Sequence, residues 1–342
     1  ATCGKSTLRR LHKPLALLCF SVPLCGIVLC MQEVRERVPL KPQTTFEIGG
    51  SARYFVDVRS ESEIREAIAW AKEKDVPFTV LGGGSNVLIP DKGLDGLVIH
   101  IVGDLYGVEN LPAQAGGMLD TWAGSNLLFL IQTLGAQGYG GWEKLAGIPG
   151  TVGGAVRGNA GAFGSEIKDF VEKVRALNVE TGETREFTNA ECDFSYRHSF
   201  FKDNPQWVIT RAYVNLGKTT PEEGERCANE TIAEREKRHL QNVRAAGSYF
   251  MNPKAPPNIV EMFEKEKGVK SREGRVPAGW LIEKAGMKGA TVGGAIASLQ
   301  HPNYIVNQGS ATADDVRELA KKVKKAVFEQ FDVELQEEAA LL

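Results

Sequence analysis

The sequence predicts an α+β protein with more than one domain, and three features support this prediction. Strand-like runs of β-branched and aromatic residues lie among segments with helical spacing. Two glycine-rich segments, residues 82–86 and 141–167, interrupt these elements. A highly charged segment, residues 221–244, is typical of a connecting helix, and a further α/β region follows it. The length of 342 residues is sufficient for several domains with substantial cores.

The first predicted elements form a small α/β unit. Residues 54–58 (YFVDV) predict a strand, and Ser62 is predicted to open a helix whose apolar residues recur at helical spacing as far as Ala71. A second strand, residues 76–81, leads directly into the glycine loop at 82–86. Further strands of this unit are predicted at 87–89 and 97–99.

The middle of the chain predicts one helix and then two longer strands. The helix covers residues 127–134, and the strands cover 174–179 and 207–216. Thr181 and Gly182 supply a hairpin-like turn after the first of these strands. These elements predict a second unit that is richer in strands than the first.

The C-terminal region predicts two helices and a short final strand. One helix covers residues 259–266, and the closing helix covers 313–331, with Thr312 as its cap. Residues 333–336 alternate between apolar and polar side chains, which predicts a strand. The predicted buried stripe of the closing helix consists of Val316, Leu319, Val323 and Val327.

The charge pattern argues against a nucleic-acid partner. The chain has 41 basic and 43 acidic residues and a formal net charge of −2. Arg235, Lys237 and Arg238 form the nearest approach to a basic patch, but glutamates interrupt it. We therefore predict that these cations lie on a solvated helix face.

The cysteines are unevenly distributed, with four in the first 30 residues. Only Cys192 and Cys227 occur after them, which argues against a disulfide framework and favours a reducing, cytoplasmic compartment. There is no CxxC pair or Cys/His cluster, so the sequence predicts no metal site.

Residues 1–30 differ in character from the rest of the chain. Basic residues precede an uncharged run at 14–30, which superficially resembles a signal peptide. The run contains Pro14 and Pro23, lacks an A-x-A cleavage site, and is short for a membrane span. We favour an extraneous leader before a start at Met31, the alternative being an anchor or export signal, and we expect no membrane association.

The segment at 141–167 (GWEKLAGIPGTVGGAVRGNAGAFGSEI) is both glycine-rich and apolar. Glycine at this density is found where the backbone needs positive φ or approaches another group closely. A flexible linker would be polar instead. The composition favours a buried loop system around a large planar or phosphorylated ligand, and a packed run of tight turns without a ligand is the alternative.

The loop GGGSN at 82–86 can bind a pyrophosphate, because successive free N–H groups form a nest for an anion. It is not a dinucleotide-binding fingerprint of the Rossmann type. Val87 stands where the third glycine of G-x-G-x-x-G should be, and a strand rather than a helix follows it.

These motifs together resemble the UDP-N-acetylenolpyruvoylglucosamine reductase family. The resemblance extends from about residue 40 to the C-terminus, and seven motifs occur in the family's order. They are TTFEIGG (44–50), VLGGGSNVLI (80–89), LAGIPGTVGGAVRGNAGAFGSEI (145–167), YRHSFFK (196–202), GSYFMNP (247–253), AGWLIEKAGMKG (278–289) and HPNYIVN (301–307).

The resemblance implies a two-subdomain FAD-binding region of the vanillyl-alcohol-oxidase type, followed by a C-terminal α/β substrate-binding domain. The implied bounds are 40–104 and 105–217 for the FAD-binding subdomains and 218–342 for the last domain, whose final strand returns towards the active site. FAD and NADPH are the implied cofactors. The implied cofactor-binding residues are Gly82, Gly83, Gly84, Ser85, Asn86, Val87, Gly147, Ile148, Pro149, Gly150, Thr151, Gly153, Gly154, Asn159 and Ala162.

The implied reaction is reduction of an enol ether that is conjugated to a carboxylate, on a UDP-sugar, for peptidoglycan precursor synthesis. By resemblance, Arg197 is the cation that stabilises the developing charge, Ser248 donates the proton, and Glu338 assists at the carboxylate end. Tyr196 and Asn252 are implied substrate contacts. Judged without the motifs, these residues would be assigned to surface ion pairs, turns or solvated positions.

The sequence departs from the family pattern near its end. Gln336 and Ala339 flank Glu338 where the family usually has an acidic residue and valine, which weakens the expectation that Glu338 is firmly held. Met251 replaces a common basic residue, so the cations that bind the diphosphate are not identified. The alternatives are another oxidoreductase of the same flavin fold or a non-catalytic flavin or nucleotide-sugar binding protein. We expect a monomer.

Overall fold

The computed structural model describes residues 33–110, 116–238 and 243–342, all within one unit, Gln32–Leu342. The prediction of a leader at 1–30 therefore lies outside the described residues. The strands are β1 Arg35–Pro39, β2 Ser51–Val58, β3 Phe78–Leu81, β4 Val87–Leu88, β5 Leu94–Ile101, β6 Tyr106–Asn110, β7 Gly117–Trp122, β8 Tyr139–Gly140, β9 Gly161–Ala162, β10 Ser165–Glu166, β11 Val171–Asn178, β12 Thr184–Thr188, β13 Trp207–Lys218, β14 Thr291–Val292, β15 Ala295–Ala297, β16 Ile305–Asn307 and β17 Ala340–Leu341. The helices are α1 Glu61–Glu73, α2 Leu127–Gly135, α3 Val152–Arg157, α4 Phe200–Asp203, α5 Pro221–Arg238, α6 Pro257–Lys267, α7 Ala278–Lys284 and α8 Ala313–Phe331.

The first sheet has the strand order β1-β2-β5-β3. Strands β2 and β3 each pair with β5 in parallel, and β1 pairs with β2 antiparallel. Helix α1 buries Ile64 and Ala71 against this sheet, as its apolar spacing predicts.

The predicted opening of α1 at Ser62 is wrong, because the cap is Ser60. The Ser60 backbone is extended and its hydroxyl accepts a hydrogen bond from the Glu63 N–H at 3.2 Å, whereas Ser62 already lies in the first turn.

The second sheet is antiparallel, with the order β12-β11-β13-β7-β6, and β8 pairs with the end of β13. The predicted strands and the turn are confirmed, with Gly182 at φ +76° between β11 and β12. One hydrophobic core runs beneath both sheets and includes Val56, Leu119 and Val174. The first sheet ends at Ile101 and the second begins at β6. The predicted boundary at 104/105 lies between them and stays a prediction.

The carboxylate of Glu61 connects the two sheets. It accepts a hydrogen bond from the Thr184 hydroxyl at 2.6 Å and forms ion pairs with Arg65 at 2.8 Å and Arg175 at 3.1 Å. Burial alone would raise the pKa of Glu61, but these partners outweigh it and lower the pKa to about 2. An ionised Glu61 therefore stabilises the contact between α1 and the strands β11 and β12.

The segment at 141–167 is only partly the loop system that its composition predicts. Residues 152–157 form α3, which starts at the cap Thr151 and buries Val152 and Val156. Glycine disfavours helix, but it is needed here because a Cβ on Gly153 would lie 2.8 Å from the Ala123 Cβ. The Gly153 N–H also donates to the Ala123 carbonyl at 2.8 Å. Close packing against the end of β7 therefore favours this short helix despite its composition.

The C-terminal region packs α6, α7 and α8 against the small sheet β14-β15-β16. Helix α8 has the predicted bounds and buried stripe, and Thr312 caps it in a capping box with Asp315. Phe46, Ile48 and Leu88 from the N-terminal half belong to the same core. The charged helix α5 is described as far as Arg238. Residues 243–244 are included in the predicted helix, but in the structure they are not helical.

The predicted strand at 333–336 is wrong, although its apolar and polar residues alternate in burial as predicted. Pairing begins only at its end, where the Gln336 carbonyl accepts the Met251 N–H at 2.9 Å. The Glu338 N–H donates to the Tyr249 carbonyl at 2.8 Å, and β17 then pairs with β4 in parallel. The tail, residues 336–341, is thus hydrogen-bonded to segments of both halves of the chain. In the described ranges, no helix has the length and apolar character needed to span a bilayer.

We predict that Glu61→Gln lowers the free energy of unfolding by about 2–3 kcal/mol near pH 7. The folded-state pKa of Glu61 is about 2, below its ordinary 4.5, so its contribution is fully present above pH 4.5. This contribution is lost as the pH falls towards 2, and the difference between variant and wild type should shrink accordingly. Urea unfolding at several pH values measures this.

A matched control is Glu186→Gln, which removes a surface ion pair with Lys173 whose side chains are 44% and 38% exposed. It should change stability by less than about 1 kcal/mol at every pH. A pH-independent effect of Glu61→Gln would contradict the prediction.

Candidate active site

The two glycine-rich segments lie directly against each other. A Cβ on Gly83 would be 2.8 Å from the Gly150 Cα, and a Cβ on Gly82 would be 2.8 Å from the Thr151 hydroxyl. Gly84 has a φ of +60°, and a Cβ there would run into the Gln43 carbonyl oxygen. Only glycine fits this close contact without a shift of the backbone.

Ser85 joins the two segments. Its hydroxyl donates to the Pro149 carbonyl at 3.0 Å, and it lies 2.6 Å from the position that a Cβ on Gly150 would take. We call the surface formed by residues 82–87 and 147–151 the glycine cradle. The sequence predicts that these segments share one ligand, and the structure brings them together.

The glycine cradle presents donors that the protein does not use. The N–H groups of Gly83, Gly84, Ser85 and Asn86 have no acceptor among the described residues. Four successive N–H groups in a loop form an anion-binding nest. This geometry fits a pyrophosphate.

Arg235 borders the glycine cradle, so the prediction of a solvated face is wrong for this residue. A Cβ on Gly147, whose φ is +78°, would lie 2.9 Å from the Arg235 Cδ. Burial lowers the pKa of Arg235, and the nearby Arg197 lowers it further while Tyr304 opposes the change. The spacing of α5 could not show this, because Arg235 turns towards a partner distant in sequence.

Asn159 connects the cradle region to the Tyr196–Arg197 turn. It is fully buried, and its Nδ2 donates to the Ser195 carbonyl at 2.8 Å and to Glu166 at 3.2 Å. Its Oδ1 accepts the Lys168 N–H at 3.3 Å. The side chain predicted to bind cofactor is therefore fully engaged with protein. The other predicted cofactor residues of this segment lie at the cap and start of α3 (Thr151, Gly153, Gly154) and in β9 (Ala162).

Arg197 lies in a tight turn that aims its side chain at Glu338. Ser195 and His198 exchange two backbone hydrogen bonds at 3.1 Å around the turn, and Arg197 has a φ of +58°. The Arg197 Nε lies 2.7 Å from the Glu338 Oε1, in charge contact but without the alignment of a hydrogen bond. The two side chains are only 22% and 17% exposed. Sequence places these residues 141 positions apart, and the structure pairs them.

Burial raises the pKa of the Glu338 carboxyl, while the positive charges of Arg197 and Lys202 act in the opposite direction. The tail holds this residue in spite of its departures from the family pattern. The Asn86 Nδ2 donates to the Glu338 carbonyl at 3.2 Å, and the Ala340 N–H donates to the Asn86 carbonyl at 3.0 Å. Asn86 therefore belongs to both the glycine cradle and the support of Glu338.

Ser248 lies beside this tail. It follows Gly247, whose φ is +72°, and precedes Tyr249, whose carbonyl accepts the Glu338 N–H. The buried Asn303 fixes the extended segment that follows by accepting from the Phe250 N–H at 3.0 Å and donating to the Phe250 carbonyl at 2.9 Å. Asn303 is a supporting residue that sequence reasoning missed, although it stands inside the HPNYIVN motif.

Tyr196 and Asn252 lie together, and Arg275 completes their group. The Asn252 N–H donates to the Tyr196 hydroxyl at 3.3 Å, and the Arg275 guanidinium stacks 4.4 Å from the Tyr196 ring centroid. Arg275 also donates to the Asn252 carbonyl at 2.9 Å. The Asn252 Oδ1 is occupied, because it accepts the Ala278 N–H at the start of α7 at 3.0 Å. Sequence reasoning missed Arg275, since its loop carries no motif.

Two models of protein families match the chain. The model described as an FAD binding domain matches residues 52–188, and the model described as the C-terminal domain of UDP-N-acetylenolpyruvoylglucosamine reductase matches residues 238–342. The UDP-N-acetylenolpyruvoylglucosamine reductase of Pseudomonas putida is 36% identical over 90% of this chain and 98% of that protein. That of Solibacter usitatus is 36% identical over 89% of this chain and 95% of that protein.

This chain belongs to the UDP-N-acetylenolpyruvoylglucosamine reductase family. The crystal structure of the reductase from Thermus caldophilus superimposes with a TM-score of 0.69 at 33% identity, over 90% of this chain and 99% of that one. The predicted fold class, an FAD-binding region of the vanillyl-alcohol-oxidase type with a C-terminal domain, is confirmed. FAD as the cofactor is also confirmed.

We predict that Gly83→Val yields protein with little bound flavin. The added side chain would meet the Gly150 backbone and push the two segments of the glycine cradle apart. Overpacking of this kind costs about 1–3 kcal/mol, or about 5- to 150-fold in FAD affinity. The ratio of flavin to protein absorbance after purification measures the effect.

Gly107→Ala in β6 is the control, because a Cβ at Gly107 meets nothing within 4 Å. It should purify with the flavin content of the wild type. Full flavin content in Gly83→Val would contradict the role of the cradle.

Proposed function

We propose that this protein catalyses the NADPH-dependent reduction of UDP-N-acetylglucosamine enolpyruvate to UDP-N-acetylmuramate. The observation that carries the proposal is the largely buried Arg197–Glu338 pair. The Glu338 N–H bonds to Tyr249, the residue after Ser248, and Asn86 connects the Glu338 backbone to the glycine cradle. Family membership supports the same reaction.

FAD fits the glycine cradle, because the unused N–H groups of residues 83–86 match the acceptors of its pyrophosphate. When bound, FAD supplies the hydride chemistry, accepting a hydride from NADPH and delivering one to C3 of the substrate. The cradle holds this group through backbone N–H donors, and Gly147 and Ile148 continue its surface towards Arg235.

Arg197 has the role of stabilising charge on the substrate carboxylate. Negative charge develops there and at C2 as the enol ether is reduced, and a guanidinium is suited to bind a carboxylate through two N–H groups. Its Nη2 donates to the Gly161 carbonyl at 3.2 Å, and Glu338 contacts its Nε, so the guanidinium is oriented before substrate binds. A preorganised donor of this kind contributes about 10²–10³ to kcat.

Ser248 has the role of giving the proton to C2. A serine hydroxyl is a weak acid, but the carbanionic centre at C2 is a strong base, so a short transfer suffices. The residue lies half-buried next to Tyr249 and Phe250, whose backbone Asn303 and the tail hold in place. A fixed hydroxyl loses little free energy to ordering when the substrate arrives.

The cations around the pair suit an anionic substrate. Arg235 lies against the glycine cradle, and Arg275 stacks on Tyr196 next to Asn252. We propose Arg275 as a contact of the UDP diphosphate, with Tyr196 as its platform.

The free thiols of Cys192 and Cys227 agree with a reducing compartment, and we propose a cytoplasmic monomer.

The test separates the two half-reactions under anaerobic conditions. NADPH should bleach the flavin absorbance of the purified protein, and the enolpyruvyl sugar nucleotide should restore it. Bleaching without recovery on addition of this substrate would reject the proposed reaction.

We predict that Ser248→Ala keeps flavin reduction by NADPH within about twofold of wild type and slows reoxidation by substrate about 10²–10⁴-fold, the usual contribution of a general acid. Stopped-flow absorbance of each half-reaction measures both rates. Ser310→Ala, at an exposed serine in another loop, should leave both rates unchanged. Equal loss of both rates in Ser248→Ala would contradict the proton-donor role.

A further inference from the structure

The backbone of Arg197 adopts a conformation that needs external support. Its φ of +58° is in the left-handed region, which costs a residue with a side chain about 1–2 kcal/mol. Such a conformation persists where surrounding contacts determine it. The two hydrogen bonds between Ser195 and His198 close the turn, but they leave the Arg197 carbonyl to be held by another group.

Lys202 supplies that group. Its Nζ donates to the Arg197 carbonyl at 3.1 Å, from a position five residues further along the chain. The hydrogen bond closes a loop of residues 197–202, on the C-terminal side of Arg197. A charged donor makes a stronger hydrogen bond than a neutral one, so this contact is suited to hold a strained peptide.

The position of Lys202 is itself fixed. It lies in α4, and Ser199, which precedes α4 and is fully buried, donates its hydroxyl to the Arg157 carbonyl at 2.7 Å. Phe201 is buried in the main core, and the His198 ring is 2.9 Å from Asp203. The lysine therefore acts from a rigid base and not from a mobile surface loop.

Lys202 also contributes charge to the site. Burial lowers the pKa of its ammonium, and the Glu338 carboxylate raises it. Arg157 and Arg197 lower it further, and Asp203 raises it. Among the described residues, the positive charges of Arg197 and Lys202 act on the pKa of Glu338, and the Glu338 carboxylate in turn raises the pKa of Tyr304.

We propose that Lys202 is a positioning residue that holds Arg197 in its left-handed turn and keeps the Arg197–Glu338 pair aligned for reduction of the substrate. This inference rests on the proposed function. Lys202 acts through Arg197 and Glu338 and makes no contact with the reacting atoms in this role. Its effect should therefore be confined to the half-reaction in which the substrate reoxidises the flavin.

The test is Lys202→Met, which keeps the volume of the side chain and removes its charge and donors. Reoxidation by the enolpyruvyl sugar nucleotide should slow about 10²-fold, the usual effect of a small misplacement in an active site. Flavin reduction by NADPH should stay within about twofold of wild type, since this step does not require a substrate carboxylate to be bound. Lys202→Arg retains the charge and a donor and should recover most of the lost rate.

The pH profile of reoxidation distinguishes positioning from general damage. Without the Lys202 charge, the pKa of Glu338 should rise further, because one of the two groups that lower it is gone. The reoxidation rate of Lys202→Met should then fall at a higher pH than that of wild type as the solution is made acidic. Lys173→Met is the control, because Lys173 pairs with Glu186 at 2.7 Å on the second sheet.

Equal loss in both half-reactions, or no loss in reoxidation, would overturn the proposal. If Lys202→Met does not fold, Lys202→Gln, which keeps a donor and removes the charge, replaces it. Selective slowing of reoxidation in Lys202→Gln supports the role, whereas equal slowing of both half-reactions, or no slowing of reoxidation, contradicts it. Failure of wild type to reoxidise with the substrate would reject the proposed function instead, so the two failures are distinguishable.

Discussion

The ion pair between Arg197 and Glu338 connects the parts of the chain that form the site. Burying two opposite charges costs more free energy of desolvation than their attraction returns, unless further hydrogen bonds support them. The support comes from Gly161 on the arginine side and from Asn86 and Tyr249 on the backbone of the glutamate. The turn, the glycine cradle and the tail must all be in place before the pair can form.

The glycine cradle binds through backbone, and this explains its composition. Side chains would have separated the loop at 82–86 from Gly150 and would have blocked the N–H groups that face outward. Gly153 shows the same constraint in a helix, since α3 exists only because its backbone can approach Ala123. In this segment close approach determines the residue type, and helix propensity has little influence.

Local signals made parts of the fold predictable from sequence. Helix α8 has the bounds and cap that its spacing and Thr312 indicate, because a capping box and an amphipathic stripe lie within the helix itself. The last strand was misplaced, because its partners, Tyr249 and β4, are distant in sequence. The alternating burial at 333–336 shows which face of the segment is covered by other residues. It does not show which residues are its backbone hydrogen-bonding partners.

Site residues that lie in sequence motifs could be predicted, whereas single side chains that reach the site from segments without a motif could not. Arg197 is recognisable from the YRHSFFK motif, which also contains Lys202, but the positions of Arg235 and Arg275 depend on contacts between segments that are distant in sequence. Arg235 illustrates the difference, since the charged residues that follow it, Glu236 and Lys237, are exposed while it packs against Gly147. Side-chain direction is set by tertiary contacts, which helical spacing alone does not determine.

Through Asn86, binding of the cofactor to the glycine cradle is thermodynamically linked to the order of the tail, residues 336–341. The Asn86 N–H has no acceptor among the described residues, the Asn86 side chain donates to the Glu338 carbonyl, and its own carbonyl accepts from the Ala340 N–H. Any ligand that binds the folded cradle stabilises what is bonded to it, by an amount that grows with the logarithm of ligand concentration over Kd. Protection of the backbone N–H groups of residues 336–341 from hydrogen exchange should therefore rise with flavin occupancy.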